Sequence, residues 1–247
     1  MRTHYERDTV KPGMEAFDIV AHCGGSASGQ FCKTLTGTDV YSGRIEERAL
    51  LNVANSGVKA TIADIQAALA FPVTGAHDDK GIELINEPLL AWCIPWHIEP
   101  RRTRPYHKND KCFAEQKNYD AVRKTVGYFR FDTAQACAAL VEVYRFLCPL
   151  YNYWIPSFRL GVKEKQEEGC FRKVYEKSPR TLYEWLMESA AVSPECKGEL
   201  GRRRAEYNPV ELNGRLNEAV GQLLKINREK MYDKKTFCQG DSQASAV

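Results

Sequence analysis

Residues 14–21 constrain the fold more than any other segment. They form a mostly apolar run that holds Asp18, with Gly13 before it and a glycine-rich turn at residues 24–29 after it. A short apolar run between turn residues is typical of a strand buried in a sheet. A carboxylate inside such a strand is costly unless it is paired or binds a cation. The run therefore predicts a buried strand in which Asp18 has a partner, either a salt bridge or a bound cation.

The pattern that follows predicts further strands and helices in a regular order. Two more strands are expected at residues 30–36 and 44–50, which favours an antiparallel meander of three strands. Apolar residues then recur at helical spacing over residues 56–70. The remaining elements are a short strand, a helix, a strand and two helices, at residues 71–76, 85–96, 98–101, 111–127 and 132–147. We take Asp132 as the cap of the last helix and Pro149 as its stop. This order predicts an α/β fold.

The composition changes near residue 150. Short alternating segments in residues 157–175 predict a β-hairpin, and Asn208 followed by Pro209 predicts the start of an amphipathic helix. That helix either serves assembly or packs on the core. We therefore divide the chain into an N-terminal edge, a core, a hairpin-plus-helix extension and a disordered tail, at residues 1–9, 10–150, 151–235 and 236–247.

Charge is distributed unevenly along a chain whose net charge is only +3. Residues 1–100 carry a net charge of −5 and residues 101–247 a net charge of +8, and nine of the basic residues fall within residues 101–130. Such a stretch favours an anionic partner such as DNA, with a solvated basic face as the alternative.

Neither the N-terminus nor the cysteines indicate export. The N-terminus lacks the apolar core of a signal peptide, and no apolar run approaches the length of a membrane span. The nine cysteines include no C-x-x-C pair. We expect a cytoplasmic, nucleoid-associated bacterial protein with no membrane partner.

Three acids stand at spacings that resemble a known family. Asp18 precedes Asp79 by 60 intervening residues, and 35 residues separate Asp79 from Glu115. This pattern resembles the catalytic core of the DDE transposases and retroviral-type integrases. Residues 18–25 resemble the first-acid segment of insertion-sequence transposases, D-[TL]-V-A-H-C-G-G, and residues 103–118 resemble their segment that ends in E-Q-K-N. The resemblance extends over most of the chain, from about residue 2 to residue 227.

The resemblance implies a fold, a reaction and a set of functional residues. The fold would be an RNase H-like mixed five-stranded sheet flanked by helices. Asp18, Asp79 and Glu115 would hold two Mg²⁺ or Mn²⁺ ions, which stabilise the attacking and leaving oxygens of a phosphodiester displacement. The reaction would free a 3′-OH at an element end and join it to target DNA. Residues expected to contact that DNA are Arg104, His107, Lys108, Lys111, Lys117, Asn118, Arg123 and Lys124.

Two departures from the family leave alternatives open. The second-acid segment reads Asp79-Lys80-Gly81 where the family has D-N-G, and Asp78 is an alternative ligand. The family also carries a helix-turn-helix region ahead of the core, so we expect an N-terminally truncated copy that acts as a homo-oligomer or with a full-length transposase. The second hypothesis is a catalytically silent fragment that binds DNA or multimerises, and a weaker third is a nuclease acting on RNA–DNA hybrids.

Overall fold

The computed structural model describes residues 2–3, 11–51, 55–78, 83–102, 117–158, 160–165 and 171–241. Ten strands lie within these ranges: β1 (Arg2–Thr3), β2 (Met14–Ala21), β3 (Lys33–Asp39), β4 (Ile45–Leu50), β5 (Gly75–Asp78), β6 (Glu99–Arg102), β7 (Pro156–Ser157), β8 (Leu160–Lys165), β9 (Phe171–Tyr175) and β10 (Arg180–Thr181). The helices are α1 (Asn55–Ala68), α2 (Glu83–Cys93), the π-helical α3 (Asn118–Arg123), α4 (Lys124–Val126), α5 (Ala134–Tyr153), α6 (Leu182–Glu188), α7 (Pro194–Ala205) and α8 (Pro209–Asp241).

The main sheet has the strand order β1-β6-β5-β2-β3-β4. β2, β3 and β4 form the predicted antiparallel meander, while β5 and β6 add to β2 in parallel. The two-residue β1 pairs in parallel with β6 and extends the predicted five strands by one at the edge. This is the mixed sheet of an RNase H-like α/β fold, and it places β2 near its centre.

Helices cover both faces of this sheet. Phe17 and Leu35 pack on one face against apolar residues of α1 and α2. On the other face Val20 and Ile45 pack against α3, α4, α5 and α8. Because successive residues of a strand point to opposite faces, β2 carries apolar residues on both of its sides. Asp18, two residues from Val20, shares its face with α3 and α5.

Several element boundaries differ from the sequence prediction. Asp132 does not cap α5; the Thr133 side chain accepts a hydrogen bond from the Ala136 N–H at 3.1 Å, and Asp132 pairs with Arg130 and Lys230. Nor does Pro149 end α5, which continues to Tyr153 because packing of the last turn in the core outweighs the missing N–H.

Two more boundaries shift at the ends of strands and helices. β5 begins at Gly75, whereas residues 71–74 form no strand and Phe71 is buried against the apolar residues of α6 and α7. The hairpin predicted in residues 157–175 is present as β8 and β9.

The C-terminal helix α8 reaches Asp241, inside the segment predicted to be a disordered tail. The domain division itself stays a prediction. None of the helices in the described ranges combines the length and apolar composition needed to cross a membrane.

Candidate nucleic-acid-processing site

The Asp18 carboxylate lies partly buried on β2, between β3 and β5. Its Oδ1 accepts a hydrogen bond from the Ile19 N–H at 2.8 Å, and its Oδ2 accepts one from the Asn118 amide at 2.6 Å. One partner of Asp18 is therefore a neutral amide, not the salt bridge or cation that was predicted, and it comes from the motif E-Q-K-N, 100 residues away. Two motifs recognised separately in the sequence meet at this point.

Asp18 stands in a row of polar side chains that crosses three strands. Asp18 is the cross-strand partner of Thr36 on β3, and Thr36 is the partner of Glu47 on β4. Cross-strand partners lie on the same face of a sheet, so the three side chains are neighbours there. The Thr36 hydroxyl lies 2.6 Å from Asn118 Oδ1 and 2.8 Å from Glu47 Oε2. The row thus links Glu47 to Asp18 through Thr36 and Asn118.

Glu47 is the most deeply buried acid of this row. Its exposed fraction is 1%, and burial raises the pKa of its carboxyl well above the usual value, with the charges of Glu46 and Asp18 acting in the same direction. The Thr36 hydrogen bond and the charge of Arg48 oppose this rise only in part. Burial therefore favours the neutral form of the Glu47 carboxyl.

Asn118 lies at the start of a helix of unusual geometry. Residues 111–127 were predicted to be an ordinary α-helix, but Asn118–Arg123 is π-helical and only Lys124–Val126 continues as an α-helix. A π-helix adds about one residue to each turn and is frequent at functional sites. In this segment Ala121 and Val122 are buried in the core while Asn118 contacts Asp18.

The described members of the predicted DNA-binding set differ in accessibility. The Lys117 ammonium lies over the Tyr151 ring, 3.3 Å from its hydroxyl, and burial lowers the pKa of Lys117 to about 8. The Arg123 guanidinium donates to the Ala21 carbonyl at 2.9 Å. Lys124 is exposed and pairs with Asp120 at 2.6 Å. Of these three cations, Lys124 offers its charge most directly to solvent.

Many of the predicted site residues lie outside the described residues. These are Asp79 and Glu115 of the acid triad, and Arg104, His107, Lys108 and Lys111 of the DNA-binding set. The described part of β5 ends at Asp78, whose backbone pairs with Phe17, the residue before Asp18. Within the described ranges no three His, Cys, Asp or Glu side chains form a cluster that could hold a metal. The metal-binding role of the triad stays a prediction.

The glycine-rich turn that follows β2 is organised by Arg130. Its guanidinium donates to the carbonyls of Ser26 at 2.6 Å and Ser28 at 2.8 Å, and its Nε pairs with Asp132. Gly24 has a φ of +59°, and a Cβ there would lie 2.9 Å from the Arg130 Cβ, so a side chain at this position would disturb the turn. In this turn the carbonyls, not the N–H groups, meet the cation, which fits a structural connection better than a phosphate cradle.

Sequence reasoning missed the polar residues of the meander. Glu15, Asp39, Arg44 and Glu46 are buried, and Arg44 pairs with Glu46 at 2.9 Å while its guanidinium lies over the Tyr153 ring. The sequence predicted a strand at residues 44–50 but no role for its charged residues. One signal was present in the sequence, namely that Glu47 and Thr36 lie in strands predicted to neighbour the strand of Asp18.

Comparisons with known proteins give a relative without an assigned role. No family model matches the chain. The uncharacterized protein y4rM of Sinorhizobium fredii (strain NBRC 101917 / NGR234) is 34% identical over 165 residues, which are 67% of this chain and 47% of the relative. The chain thus spans about half the length of that relative.

One solved structure is similar to part of the chain. The simian T-cell lymphotropic virus intasome, in complex with PP2A regulatory subunit B56 gamma, matches 49% of this chain and 42% of its own chain. The TM-score is 0.41 and the identity 15%.

Proposed function

We propose that the chain is the catalytic core of a DDE-type transposase or integrase, which cleaves DNA and joins the freed 3′-OH to a target strand. The observation that carries the proposal is the 2.6 Å hydrogen bond between the Asn118 amide and Asp18 Oδ2. It brings the motif of the first acid and the motif of the third acid together on the central strand of an RNase H-like sheet.

The environment of Asp18 fits a hard divalent cation. The Asp18 carboxylate is held by the Ile19 N–H and the Asn118 amide, and carboxylate oxygens are the ligands that Mg²⁺ prefers in proteins. The side chain is partly exposed, so a hydrated ion could reach it. Asp18 would hold the ions together with Asp79 and Glu115. Bound Mg²⁺ or Mn²⁺ would supply charge stabilisation to the displaced phosphodiester oxygens.

The residues around Asp18 hold and orient this carboxylate. Asn118 fixes one oxygen and the Ile19 N–H the other, so the side chain keeps one orientation. Arg123 holds the end of β2 through the Ala21 carbonyl, which keeps α3 in register with the strand. Lys124 and the basic residues in 101–116 would contact DNA phosphates, which position a duplex without reading its sequence.

DNA is the proposed substrate, and a second copy of the chain or a full-length transposase is the proposed partner. Transposition joins two DNA ends to the target in one event. Because one active site acts on one DNA end at a time, two catalytic subunits would be needed.

A plasmid-nicking assay tests the proposal. The full chain is incubated with supercoiled plasmid and Mn²⁺ or Mg²⁺, and conversion to the open circle is measured on a gel. We expect metal-dependent nicking that is lost in Asp18→Asn, Asp79→Asn and Glu115→Gln and retained in Glu142→Gln, an exposed acid on the outer side of α5.

Two results would change the conclusion. Nicking by Asp79→Asn at the wild-type rate would overturn the DDE assignment. Salt-sensitive DNA binding with no nicking in either metal would favour the silent DNA-binding fragment instead.

A further inference from the structure

Two cysteine side chains meet where β3 and α5 begin. Cys32 directly precedes β3, and Cys137 lies in the first turn of α5. Both are free thiols, and the Cys32 thiol donates a hydrogen bond to the Cys137 sulfur. The Thr133 carbonyl oxygen lies 3.8 Å from the Cys32 sulfur and accepts the Cys137 N–H at 3.0 Å, so both cysteines contact the same backbone group.

Backbone hydrogen bonds hold these two segments side by side. The Cys32 N–H donates to the Phe131 carbonyl at 2.6 Å, and the Cys32 carbonyl accepts the His22 N–H at 2.9 Å. Both cysteine side chains also pack in one apolar cluster with residues of α5 and α8. A disulfide needs two backbones close together and two side chains directed at each other. The contacts around Thr133 bring the sulfur atoms together in this way, so a bond between them requires little movement of β3 or α5.

The two thiols differ in exposure and in charge state. Cys32 is fully buried, with an exposed fraction of 0%, whereas Cys137 is partly exposed. The hydrogen bond from Cys32 lowers the pKa of Cys137 to about 7, and the first turn of a long helix favours an anion there. The same hydrogen bond and burial raise the pKa of Cys32. Cys137 is therefore the thiol that an oxidant reaches as a thiolate, and Cys32 is the enclosed thiol beside it.

We propose that Cys32 and Cys137 form a peroxide-sensitive modification site, at which two-electron oxidation joins the two sulfur atoms in a reversible disulfide. A reactive thiolate next to a second thiol is the arrangement typical of cysteines that respond to oxidants. The site involves neither Asp18 nor a bound metal nor DNA, so it stands independently of the proposed function.

Hydrogen peroxide is the oxidant, and the reaction balances in two steps. The Cys137 thiolate attacks one peroxide oxygen, the O–O bond breaks, and the leaving hydroxide takes up the proton that Cys137 had released, which leaves a sulfenic acid and one water. The Cys32 sulfur then attacks the Cys137 sulfur, the S–O bond breaks, and the hydroxide leaves with the Cys32 proton as a second water. Two thiols lose two electrons and two protons, and peroxide is reduced to two waters.

Peptide mapping tests the pair in the full chain. Reduced protein at pH 7 is treated with a small excess of hydrogen peroxide, free thiols are blocked with N-ethylmaleimide, and the monomer band of a non-reducing gel is digested with trypsin. We expect a disulfide between the peptides of residues 8–33 and 131–145, which dithiothreitol removes. Cys137 is the single cysteine of its peptide, but the other peptide contains Cys23 as well as Cys32.

Three alanine variants assign the bond. Cys23→Ala is the matched control and should keep the linked peptides, whereas Cys32→Ala and Cys137→Ala should each lose them. In Cys32→Ala the sulfenic acid of Cys137 should persist and be trapped by dimedone, and in Cys137→Ala the Cys32 side chain should stay a thiol. Cys137→Ala should also fold normally, because alanine is a strong helix former.

The mapping has two results that would overturn the proposal. One is a pair of linked peptides that survives in Cys32→Ala, since the bond would then involve Cys23. The other is wild-type protein in which Cys137 stays a thiol or becomes a sulfinic acid instead of a disulfide.

Urea unfolding measures what the bond does to the fold. A disulfide between these positions closes a loop of about 100 residues and so restricts the unfolded chain. We expect the midpoint of the oxidised protein to rise by about 1 M or more, and dithiothreitol to reverse the shift. Cys137→Ala treated with peroxide should show no such rise. An equal or lower midpoint for the disulfide-containing protein would contradict the inference that the sulfur atoms join without displacing β3 or α5.

Discussion

The edge of the sheet beside the site depends on one side chain, Asn152 of α5. β4 is the last strand of the sheet among the described residues, so its outward N–H and C=O groups need partners other than a strand. Asn152 supplies both for Ile45: its Oδ1 accepts the Ile45 N–H at 2.9 Å and its Nδ2 donates to the Ile45 carbonyl at 2.8 Å. Asn152 is 1% exposed and the Ile45 side chain is fully buried, so water has little access to these groups.

Asn152→Ala should therefore be strongly destabilising. It removes two hydrogen bonds and leaves a buried donor and a buried acceptor without partners, each at a cost of about 1–3 kcal/mol. Allowing for local relaxation, we expect the free energy of unfolding to fall by about 2–4 kcal/mol, a large share of the stability of an ordinary domain. In urea this corresponds to a midpoint lower by about 1 M or more.

The assay is urea unfolding followed by circular dichroism, with Asn217→Ala as control. Asn217 is exposed in the middle of α8, where alanine is the better helix former, so this variant should be as stable as the wild type or slightly more stable. If Asn152→Ala lowered the free energy of unfolding by less than about 0.5 kcal/mol, the reasoning would be refuted. Such a result would mean that the backbone N–H and C=O groups of Ile45 find other partners at almost no cost.

Three further predictions concern titratable and charged groups. Burial, reinforced by the charge of Arg123, lowers the pKa of His22 to about 3. The unfolded chain therefore binds more protons between about pH 3 and 6.5, so stability falls as pH falls through that window, and from pH 7 to pH 5 the wild type should lose about 2 kcal/mol more than His22→Gln in urea unfolding. In fluorescence-anisotropy titrations with DNA, the logarithm of the binding constant is plotted against the logarithm of the salt concentration. Lys124→Ala should make the slope of this plot shallower by about one unit. Lys117→Met should leave the slope unchanged, because the Lys117 ammonium is enclosed against Tyr151. A hydrogen bond from Cys32 lowers the pKa of the Cys137 thiol to about 7, so iodoacetamide at pH 7 should label Cys137 ahead of the other described cysteines by mass spectrometry, and Cys32→Ala should slow that labelling.

The strands and helices around the site could be predicted because each is indicated by an apolar pattern within its own segment of the sequence. The apolar run around Asp18 indicated a buried strand. The apolar residues at helical spacing in residues 56–70 indicated α1, and its residues Val58, Ile62 and Ile65 pack against the sheet. The resemblance implied an RNase H-like mixed sheet flanked by helices, and the structure confirms it. The partner of Asp18 was expected to be a salt bridge or a cation, whereas the structure adds an amide from a motif already recognised.

What sequence could not predict depends on contacts between distant segments. Four of the five residues 44–48 are charged, yet Arg44, Glu46 and Glu47 are buried because α5 covers the edge of the sheet. The π-helical turn at Asn118 likewise has no local signature; it depends on Ala121 and Val122 packing in the core while Asn118 meets Asp18. Local patterns specify elements, and only tertiary packing specifies which polar groups become enclosed.

The C-terminal helix is part of the unit that holds the site. Leu212, Leu216, Leu223 and Ile226 of α8 lie in the same apolar cluster as Val20 of β2 and Val122 of α3. Lys230 of α8 pairs with Asp132, Asp132 pairs with Arg130, and Arg130 holds the carbonyls of the turn that follows β2. A chain of charged contacts therefore connects α8 to the strand of Asp18. Of the two roles considered for this helix, packing on the core is the one its contacts support, and the geometry around Asp18 depends on a segment that sequence composition had separated from the core.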